Sequence, residues 1–232
     1  MKPRLPVNQA RHCPRLVGVI ASPAALVRAT RLRRPPDFFE LRLDSLRDSL
    51  GEIERSLPRL HAPLIFTARH SAEGGYGSLG TIARRELLER FLPRAAYLDL
   101  ELRSLAEMEK LLGEMRRRSV GLLLSRHYLR DTPLPDDLVL LARSAAILRP
   151  AFFKLVTRTD TPAQLARLLT FFREAPAFPF SIAAMGIGQL GRESRRQLAR
   201  RGSALLYGSV GEPVIAGQPS LTQLRRDRRA YI

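Results

Sequence analysis

The hydrophobic residues of this chain fall into eight short apolar runs, with longer amphipathic segments between most of them. Each run is four to six residues long and is bounded by polar, Gly or Pro residues, which is the pattern of a buried strand. The predicted strands are Leu16–Ile20, Phe38–Leu43, Leu64–Thr67, Tyr97–Leu100, Val120–Leu124, Phe152–Val156, Phe180–Ala184 and Ala204–Tyr207.

The segments between these runs carry apolar residues at three- and four-residue spacings, which is typical of amphipathic helices. Examples are Arg84–Phe91, Leu105–Arg117 and Asp136–Leu148. Thr161 precedes Pro162, and this pair predicts a helix that has Thr161 as its N-cap and proline in its first turn. The chain therefore reads as eight units of a strand followed by a helix.

Repeated strand–helix units predict an α/β protein with a parallel sheet. Eight such units within 232 residues favour a closed (β/α)₈ barrel, the TIM-barrel fold, in a single domain. An open doubly wound sheet is the alternative, but no Gly-x-Gly-x-x-Gly follows the first predicted strand, which disfavours a dinucleotide-binding sheet. We expect the barrel to span residues 16–232, preceded by a basic extension at residues 1–15.

The chain is strongly basic, with 39 basic residues against 22 acidic ones and a formal net charge of +17. All the basic residues are arginines except Lys2, Lys110 and Lys154. Such a charge could attract nucleic acid or anionic substrates. The arginines are nevertheless spread along the chain and aromatic residues are few, whereas a nucleic-acid surface usually concentrates charge and adds stacking side chains. Solvated helix faces are the favoured interpretation, so a nucleic-acid partner is not expected.

The single cysteine, Cys13, excludes a disulfide scaffold and a Cys-based zinc site. It also agrees with the reducing cytoplasm. No apolar run reaches about 18 residues, so no transmembrane helix is expected. Leu16–Ile20 is too short to be the hydrophobic region of a signal peptide. These features together predict a cytoplasmic protein that is not attached to a membrane.

Catalytic residues of a (β/α)₈ barrel lie at the carboxyl ends of its strands. In the second predicted strand, Glu40, Arg42 and Asp44 alternate with Leu41 and Leu43, so that one face carries three charges. A solvated edge strand would explain this pattern. In a parallel barrel both faces are covered, and the three charges then need partners or a ligand.

Other predicted strands also end in polar residues. The third strand is followed by Arg69 and His70, which suit an anion site. The fourth carries Asp99 and Glu101 on one face, and the fifth leads to His127. A lone histidine is more often structural than catalytic, but the end of a barrel strand favours a chemical role.

Lys154 is the strongest single signal, because it lies inside an otherwise apolar strand of a chain that uses arginine almost everywhere else. Buried lysines are rare, since removing an ammonium from water is costly. A desolvated amine is a nucleophile that forms Schiff bases with carbonyls, and a histidine within reach could shuttle protons beside it. The alternative is a structural ion pair with one of the strand-borne acids.

The last two strand–helix units add candidates for binding an anion. Gly188 and Gly191 precede a predicted helix, whose first turn would expose backbone N–H groups, although the Walker pattern of a phosphate loop is absent. Arg195 follows and is a plausible clamp for a carboxylate or phosphate. Gln218 ends the loop after the eighth strand.

These residues, in this order, resemble the type I 3-dehydroquinate dehydratase family over most of the chain, from about Val17 to Leu224. Each matching piece is weak alone, but seven in order at barrel-like spacing are specific. The pieces are Glu-Leu-Arg-Leu-Asp (40–44), Phe-Thr-Ala-Arg-His-Ser-Ala-Glu-Gly-Gly (66–75), Asp-Leu-Glu (99–101), Ser-Arg-His-Tyr-Leu-Arg-Asp-Thr-Pro (125–133), Lys154, Gly-Arg-Glu-Ser-Arg (191–195) and Ala-Gly-Gln (216–218).

The resemblance implies a (β/α)₈ barrel, usually a homodimer without metal or organic cofactor, that converts 3-dehydroquinate to 3-dehydroshikimate in the shikimate pathway. It implies that Lys154 forms the Schiff base, that His127 shuttles protons and that Glu73 supports the histidine. It further assigns substrate hydroxyls to Glu40 and Arg42, the substrate carboxylate to Arg69, Arg195 and Gln218, and supporting acids beneath the site to Asp99 and Glu101.

The closing loop departs from the family pattern, which usually has Ser at the position of Val214 and Pro at that of Ala216. Losing one neutral hydroxyl contact changes affinity by about twofold to twelvefold, because such a hydrogen bond is worth about 0.5–1.5 kcal/mol net. Ala216 also leaves the open loop more backbone freedom to lose on closing. We therefore expect a working dehydratase with a raised KM, which Val214→Ser combined with Ala216→Pro would improve.

Three alternatives stay open on the sequence alone. One is another Schiff-base barrel lyase such as an aldolase, which the carboxylate-binding arginines and Gln218 disfavour. The second is a basic barrel that binds nucleic acid without catalysis, for which binding would strengthen steeply as salt falls. The third is a paralogue that binds ligand but turns it over poorly, for which Val214 is the motive.

Overall fold

The computed structural model describes residues 14–213, 215 and 217–226. Eight strands lie in this part of the chain. They are β1 (Arg15–Ile20), β2 (Phe38–Arg42), β3 (Leu64–Thr67), β4 (Tyr97–Glu101), β5 (Gly121–Tyr128), β6 (Phe152–Arg158), β7 (Ser181–Ile187) and β8 (Leu205–Ser209).

All eight strands are parallel, and each pairs with the next along the chain from β1 to β7, while β8 pairs with β1. The sheet closes where β7 meets the start of β8. There, Ala204 N donates a 2.8 Å hydrogen bond to Ile182 O, and Ser203 Oγ lies 3.1 Å from Ala184 N and 3.3 Å from Ala184 O. The predicted (β/α)₈ barrel is confirmed, with a short seam instead of a full eighth ladder.

A helix follows every strand and covers the outside of the barrel. The helices are α1 (Pro23–Ala29), α2 (Leu50–Ser56), α3 (Thr81–Phe91), α4 (Glu109–Arg117), α5 (Pro135–Ala145), α6 (Pro162–Arg173), α7 (Gly191–Arg200) and α8 (Leu221–Arg226). Thr161 caps α6 as predicted: its side chain accepts from Gln164 N, and the Gln164 side chain accepts in return from Thr161 N.

The predicted boundaries differ from the observed ones mainly where polar residues line the interior. The fifth strand was expected to end at Leu124, but β5 continues to Tyr128, since its polar side chains find partners inside the barrel. The helix expected to begin at Leu105 begins instead at Glu109, because two short 3₁₀ turns precede it. The first strand begins one residue before the predicted Leu16.

Side chains from alternate strands fill the interior in layers, as is usual for this fold. At the amino-terminal end, Phe38, Tyr97 and Phe152 form an aromatic floor, with ring centroids 5.3–6.4 Å apart. The guanidinium of Arg15 packs against the floor from below, 4.8 Å from the Phe152 ring centroid. Gly121 leaves room for the floor, because a Cβ at this position would lie 2.4 Å from the Tyr97 ring.

Among the described residues, no helix has the length and apolar composition needed to cross a membrane. Residues 1–13, which include Cys13 and most of the predicted extension, lie outside the described part of the chain, as do Val214 and Ala216. The predictions made for these positions therefore stay predictions.

Candidate active site

The layer directly above the aromatic floor is charged, and we call it the lysine layer. It contains one side chain from each of β2, β4, β6 and β8: Glu40, Asp99, Lys154 and Tyr207. All four are buried, with at most 5% of each residue exposed. Three of them were predicted to belong to the site, whereas Tyr207 was not singled out.

Lys154 lies at the centre of this layer. Its Nζ is 3.0 Å from Glu40 Oε1 and 3.0 Å from Asp99 Oδ2, and it rests 4.2 Å from the centroid of the Tyr207 ring. The ion pairs that were considered as an alternative for Lys154 are thus present. They place the amine in the interior, where a carboxylate on each of two strands can hold its charge or accept its proton.

Arg69 ties the lysine layer to the carboxyl ends of the strands. Its guanidinium donates to Asp99 at 2.5 Å, to Glu101 at 3.0 Å and to Ser125 Oγ at 2.6 Å. Burial opposes the negative charge of Asp99, but the cations of Arg69 and Lys154 and the hydrogen bond from Arg69 hold the pKa of this carboxyl below its usual range. Arg69 therefore lies among protein acids, below the open end of the barrel.

Arg84, in the first turn of α3, is a buried arginine that was not predicted to belong to the site. It is 1% exposed, donates to Ala68 O at 2.8 Å and to Ser104 Oγ at 3.1 Å, and forms an ion pair with Glu101. Glu101 is thus held between two arginines. A charged residue in an amphipathic helix usually points to solvent, so the pattern gave no signal for this one.

His127 and Glu73 form a second cluster in the upper part of the barrel, in which Glu73 is buried and His127 is half-buried. Glu73 Oε2 accepts from the backbone N of His127 at 2.9 Å and lies 3.1 Å from its Nδ1, while Arg126 donates to Glu73 Oε1 at 3.0 Å. Burial, then the nearby cations of Arg69 and Lys154, lower the pKa of His127 well below its ordinary value. The imidazole is therefore neutral at physiological pH, and Glu73 orients the ring through Nδ1.

The other predicted residues lie around the open end. Arg42 forms a bidentate pair with Asp44, at 2.8 and 3.0 Å, and donates to Gly74 O at 3.1 Å, so it also fixes the loop that carries Glu73. Arg195 is buried on α7, with Nη1 3.3 Å from Met185 Sδ. Gln218 is half-buried in the loop after β8, and its backbone N donates to Ile215 O.

Thr67, Ser125 and Tyr207 also contribute to the interior but were not predicted as site residues. Thr67 Oγ1 donates to Glu40 at 2.9 Å, and Ser125 Oγ donates to Asp99 at 2.6 Å. Both orient acids of the lysine layer. These two residues could have been predicted from the sequence, because they lie near the ends of predicted strands and on the same strand faces as residues already selected.

Comparisons with known proteins agree with this arrangement. A family model described as type I 3-dehydroquinase matches residues 21–229. The 3-dehydroquinate dehydratase of Thermococcus onnurineus is 31% identical over 219 residues, which cover 91% of this chain and 95% of that protein. The enzyme of the same name from Dehalococcoides mccartyi is 32% identical over 190 residues, or 81% of this chain and 82% of that protein.

A solved structure of 3-dehydroquinate dehydratase from Enterococcus faecalis superposes with a TM-score of 0.76. It is 26% identical, and the match covers 85% of this chain and 90% of that one. The fold, the order of the interior residues and the extent of the family match lead to one assignment: this chain belongs to the type I 3-dehydroquinase family.

Proposed function

We propose that this protein is a hydro-lyase that removes water from 3-dehydroquinate to give 3-dehydroshikimate, through a Schiff base on Lys154. The observation that carries the proposal is the position of Lys154, an interior lysine between two carboxylates in a chain of this family. The site thus offers a buried amine to a ketone and acids that can take up its proton.

In this mechanism the amine nitrogen of Lys154 takes the place of the ketone oxygen of the substrate, and an iminium ion forms. The iminium withdraws electrons from the neighbouring carbon and acidifies its C–H bond. A base removes that proton, and the hydroxyl group on the next carbon leaves. The protonated base gives its proton to this hydroxyl group, which departs as water. Water then hydrolyses the product iminium and frees the lysine. One water is consumed and two are released, so that the net reaction is a single dehydration.

His127 is the proposed base and acid. It is neutral in the resting site, so Nε2 can take a proton, and the bond between Nδ1 and Glu73 supports the imidazolium that results. His70 is the competing histidine. Its Nδ1 accepts a 3.0 Å hydrogen bond from Ala72 N in the loop after β3, which gives it a structural partner instead.

The substrate carboxylate is assigned to Arg195 and Gln218, with Glu40 and Arg42 on the hydroxyl side. A guanidinium can grip a carboxylate with two parallel hydrogen bonds, which an ammonium cannot do. Arg69 remains a predicted carboxylate contact, although its bonds to Asp99 and Glu101 favour a role in holding the acids.

The decisive experiment is incubation of the purified protein with 3-dehydroquinate while enone absorbance is followed, with and without borohydride. We expect turnover, inactivation by borohydride in the presence of substrate, and added mass on the peptide that carries Lys154. Turnover of an aldol substrate instead would favour an aldolase, and salt-dependent nucleic-acid binding without turnover would favour a binding protein. Full activity with an unmodified Lys154 would contradict the mechanism.

The assignment of the proton transfers to His127 is tested by comparing alanine variants of the two histidines. His127→Ala should abolish dehydration while leaving Lys154 able to form an adduct that borohydride traps, and His70→Ala should cost much less. The opposite outcome would exchange the two roles.

The family resemblance also supports a cytoplasmic homodimer that needs no metal or organic cofactor, with one domain from residue 16 onward. Sedimentation velocity would measure the oligomeric state, and activity after dialysis against a chelator would test the cofactor requirement.

A further inference from the structure

A buried hydroxyl group beside Lys154 has no hydrogen-bond partner in the part of the chain that the structure describes. It is the Oη of Tyr207, whose residue is 2% exposed. Folded proteins leave few buried hydroxyls unsatisfied, because the water lost on burial must be replaced. A partner that arrives with the substrate would explain this one.

The position of Tyr207 indicates which group of the substrate would be that partner. Tyr207 is the β8 member of the lysine layer, and Lys154 Nζ rests on its ring, 4.2 Å from the centroid. Glu40 and Asp99 contact the same Nζ at 3.0 Å. The Tyr207 ring, which bears Oη, therefore belongs to the group of buried side chains that surrounds the attacking amine.

The surroundings of this hydroxyl keep it protonated. Burial, followed by the negative charges of Glu40 and Asp99, raises the pKa of Tyr207 well above its ordinary value, while Arg69 and Arg195 oppose the shift. At neutral pH the group is thus a hydrogen-bond donor and not a phenolate.

We propose that the Tyr207 hydroxyl donates a hydrogen bond to the substrate oxygen that is lost when Lys154 forms its imine. The inference rests on the proposed function. In this step an ammonium and a ketone give an iminium and water: the C–N bond forms, the C–O bond breaks, and two of the three ammonium protons end on the departing oxygen.

A donor at this position acts while the carbonyl π electrons move to oxygen, when negative charge develops there. It acts again in the reverse sense when the product iminium is hydrolysed, because the same oxygen position is then filled by the attacking water. Tyr207 is therefore assigned to imine formation and hydrolysis, whereas His127 is assigned to the proton transfers between them.

Tyr207→Phe tests the proposal, because it keeps the ring under Lys154 and removes only Oη. The matched control is Tyr97→Phe, on the aromatic floor of the same interior. In single-turnover experiments with 3-dehydroquinate and borohydride, we expect the Tyr207→Phe adduct to form about tenfold more slowly. The control should form it at the wild-type rate. The thermal midpoint of Tyr207→Phe should not fall, since the hydroxyl has no hydrogen-bond partner among the described residues to lose.

An isotope experiment separates this role from a general loss of geometry. The substrate is labelled with deuterium on the carbon that loses its proton in the dehydration. The isotope effect on kcat/KM should then be smaller in Tyr207→Phe than in wild type, because imine formation becomes more nearly rate-limiting. Equal trapping rates, or slower trapping with an unchanged isotope effect and a lower thermal midpoint, would overturn the inference. If wild type forms no adduct at all, the proposed function fails first and this inference with it.

Discussion

The aromatic floor and the lysine layer are built by the same strands and differ completely in chemistry. Phe38, Tyr97 and Phe152 each lie two residues before a member of the lysine layer on β2, β4 and β6. Two residues advance a strand by roughly 6.6 Å. Over that distance the interior changes from rings packed edge to face to a lysine held by two carboxylates.

A small barrel can bury charged groups when each has a partner of opposite charge within the interior. The floor closes the amino-terminal end with apolar surface, and the charges above it are neutralised by oppositely charged side chains from other parts of the barrel. Three buried arginines occur among the described residues, Arg69, Arg84 and Arg195, and the first two form ion pairs with Glu101. The remaining described arginines are at least partly exposed, as the sequence analysis expected for most of the net charge.

The comparison is tested most severely at Lys154. Lys154→Ala should reduce kcat/KM by at least about 10⁴-fold, because it removes the only proposed nucleophile while the fold can persist. Steady-state kinetics with 3-dehydroquinate measures the loss. Lys110→Ala, at an exposed position of α4, is the control and should keep wild-type activity. Substantial turnover by Lys154→Ala would mean that the layer only stabilises the barrel.

The next largest effect is expected at Arg84, as a loss of stability. Arg84→Met leaves the buried Glu101 with one cation fewer and should lower the free energy of unfolding by about 3–5 kcal/mol. Urea denaturation measures it. Adding Glu101→Gln should recover part of the loss, because the uncompensated charge is then gone. If the single variant Arg84→Met is as stable as wild type, Arg84 is not needed to balance the charge of Glu101.

A smaller effect is expected on the floor. Phe152→Leu should cost about 1–1.5 kcal/mol of stability, since it loses ring contacts with Phe38 and Tyr97 but keeps most of the volume. Its kcat should stay within about twofold of wild type. Thermal unfolding and steady-state kinetics, measured on the same sample, check both statements. A large fall in kcat without loss of stability would mean that the floor positions Lys154.

The smallest effect concerns pH. Because the pKa of His127 lies well below 6.5, its neutral form persists as the pH falls, and kcat/KM should change by less than about twofold between pH 7.5 and 6.5. In Lys154→Met a nearby cation is lost, so the imidazolium becomes easier to form and the pKa of His127 should rise. Steady-state kinetics at the two pH values measures the first effect, and NMR titration of the histidine resonances measures the second. An unchanged titration midpoint of His127 in Lys154→Met would show that the charge of Lys154 does not affect this histidine.

Much of this molecule was predictable from the order of its residues. Eight apolar runs with helical segments between them specify the parallel barrel, because each buried strand must be covered on both faces. Lys154 was recognisable because an ammonium in an apolar strand is costly unless it has partners or a task. His127 and Asp99 were singled out from their places near the ends of predicted strands, and Glu40 from the charged face that it shares with Arg42 and Asp44.

Contacts between distant strands were decided only in the tertiary structure. Sequence does not reveal which acid faces which base across a barrel, so the contacts of Arg69 with Asp99 and Glu101 were not foreseen, while its contact with the substrate carboxylate stays a prediction. Arg84 was hidden because helical periodicity cannot distinguish a solvated arginine from one that reaches inward. Tyr207 was hidden because a tyrosine in an apolar run looks like a core residue. Only closure of the sheet brings β8 beside β1 and the Tyr207 ring against Lys154.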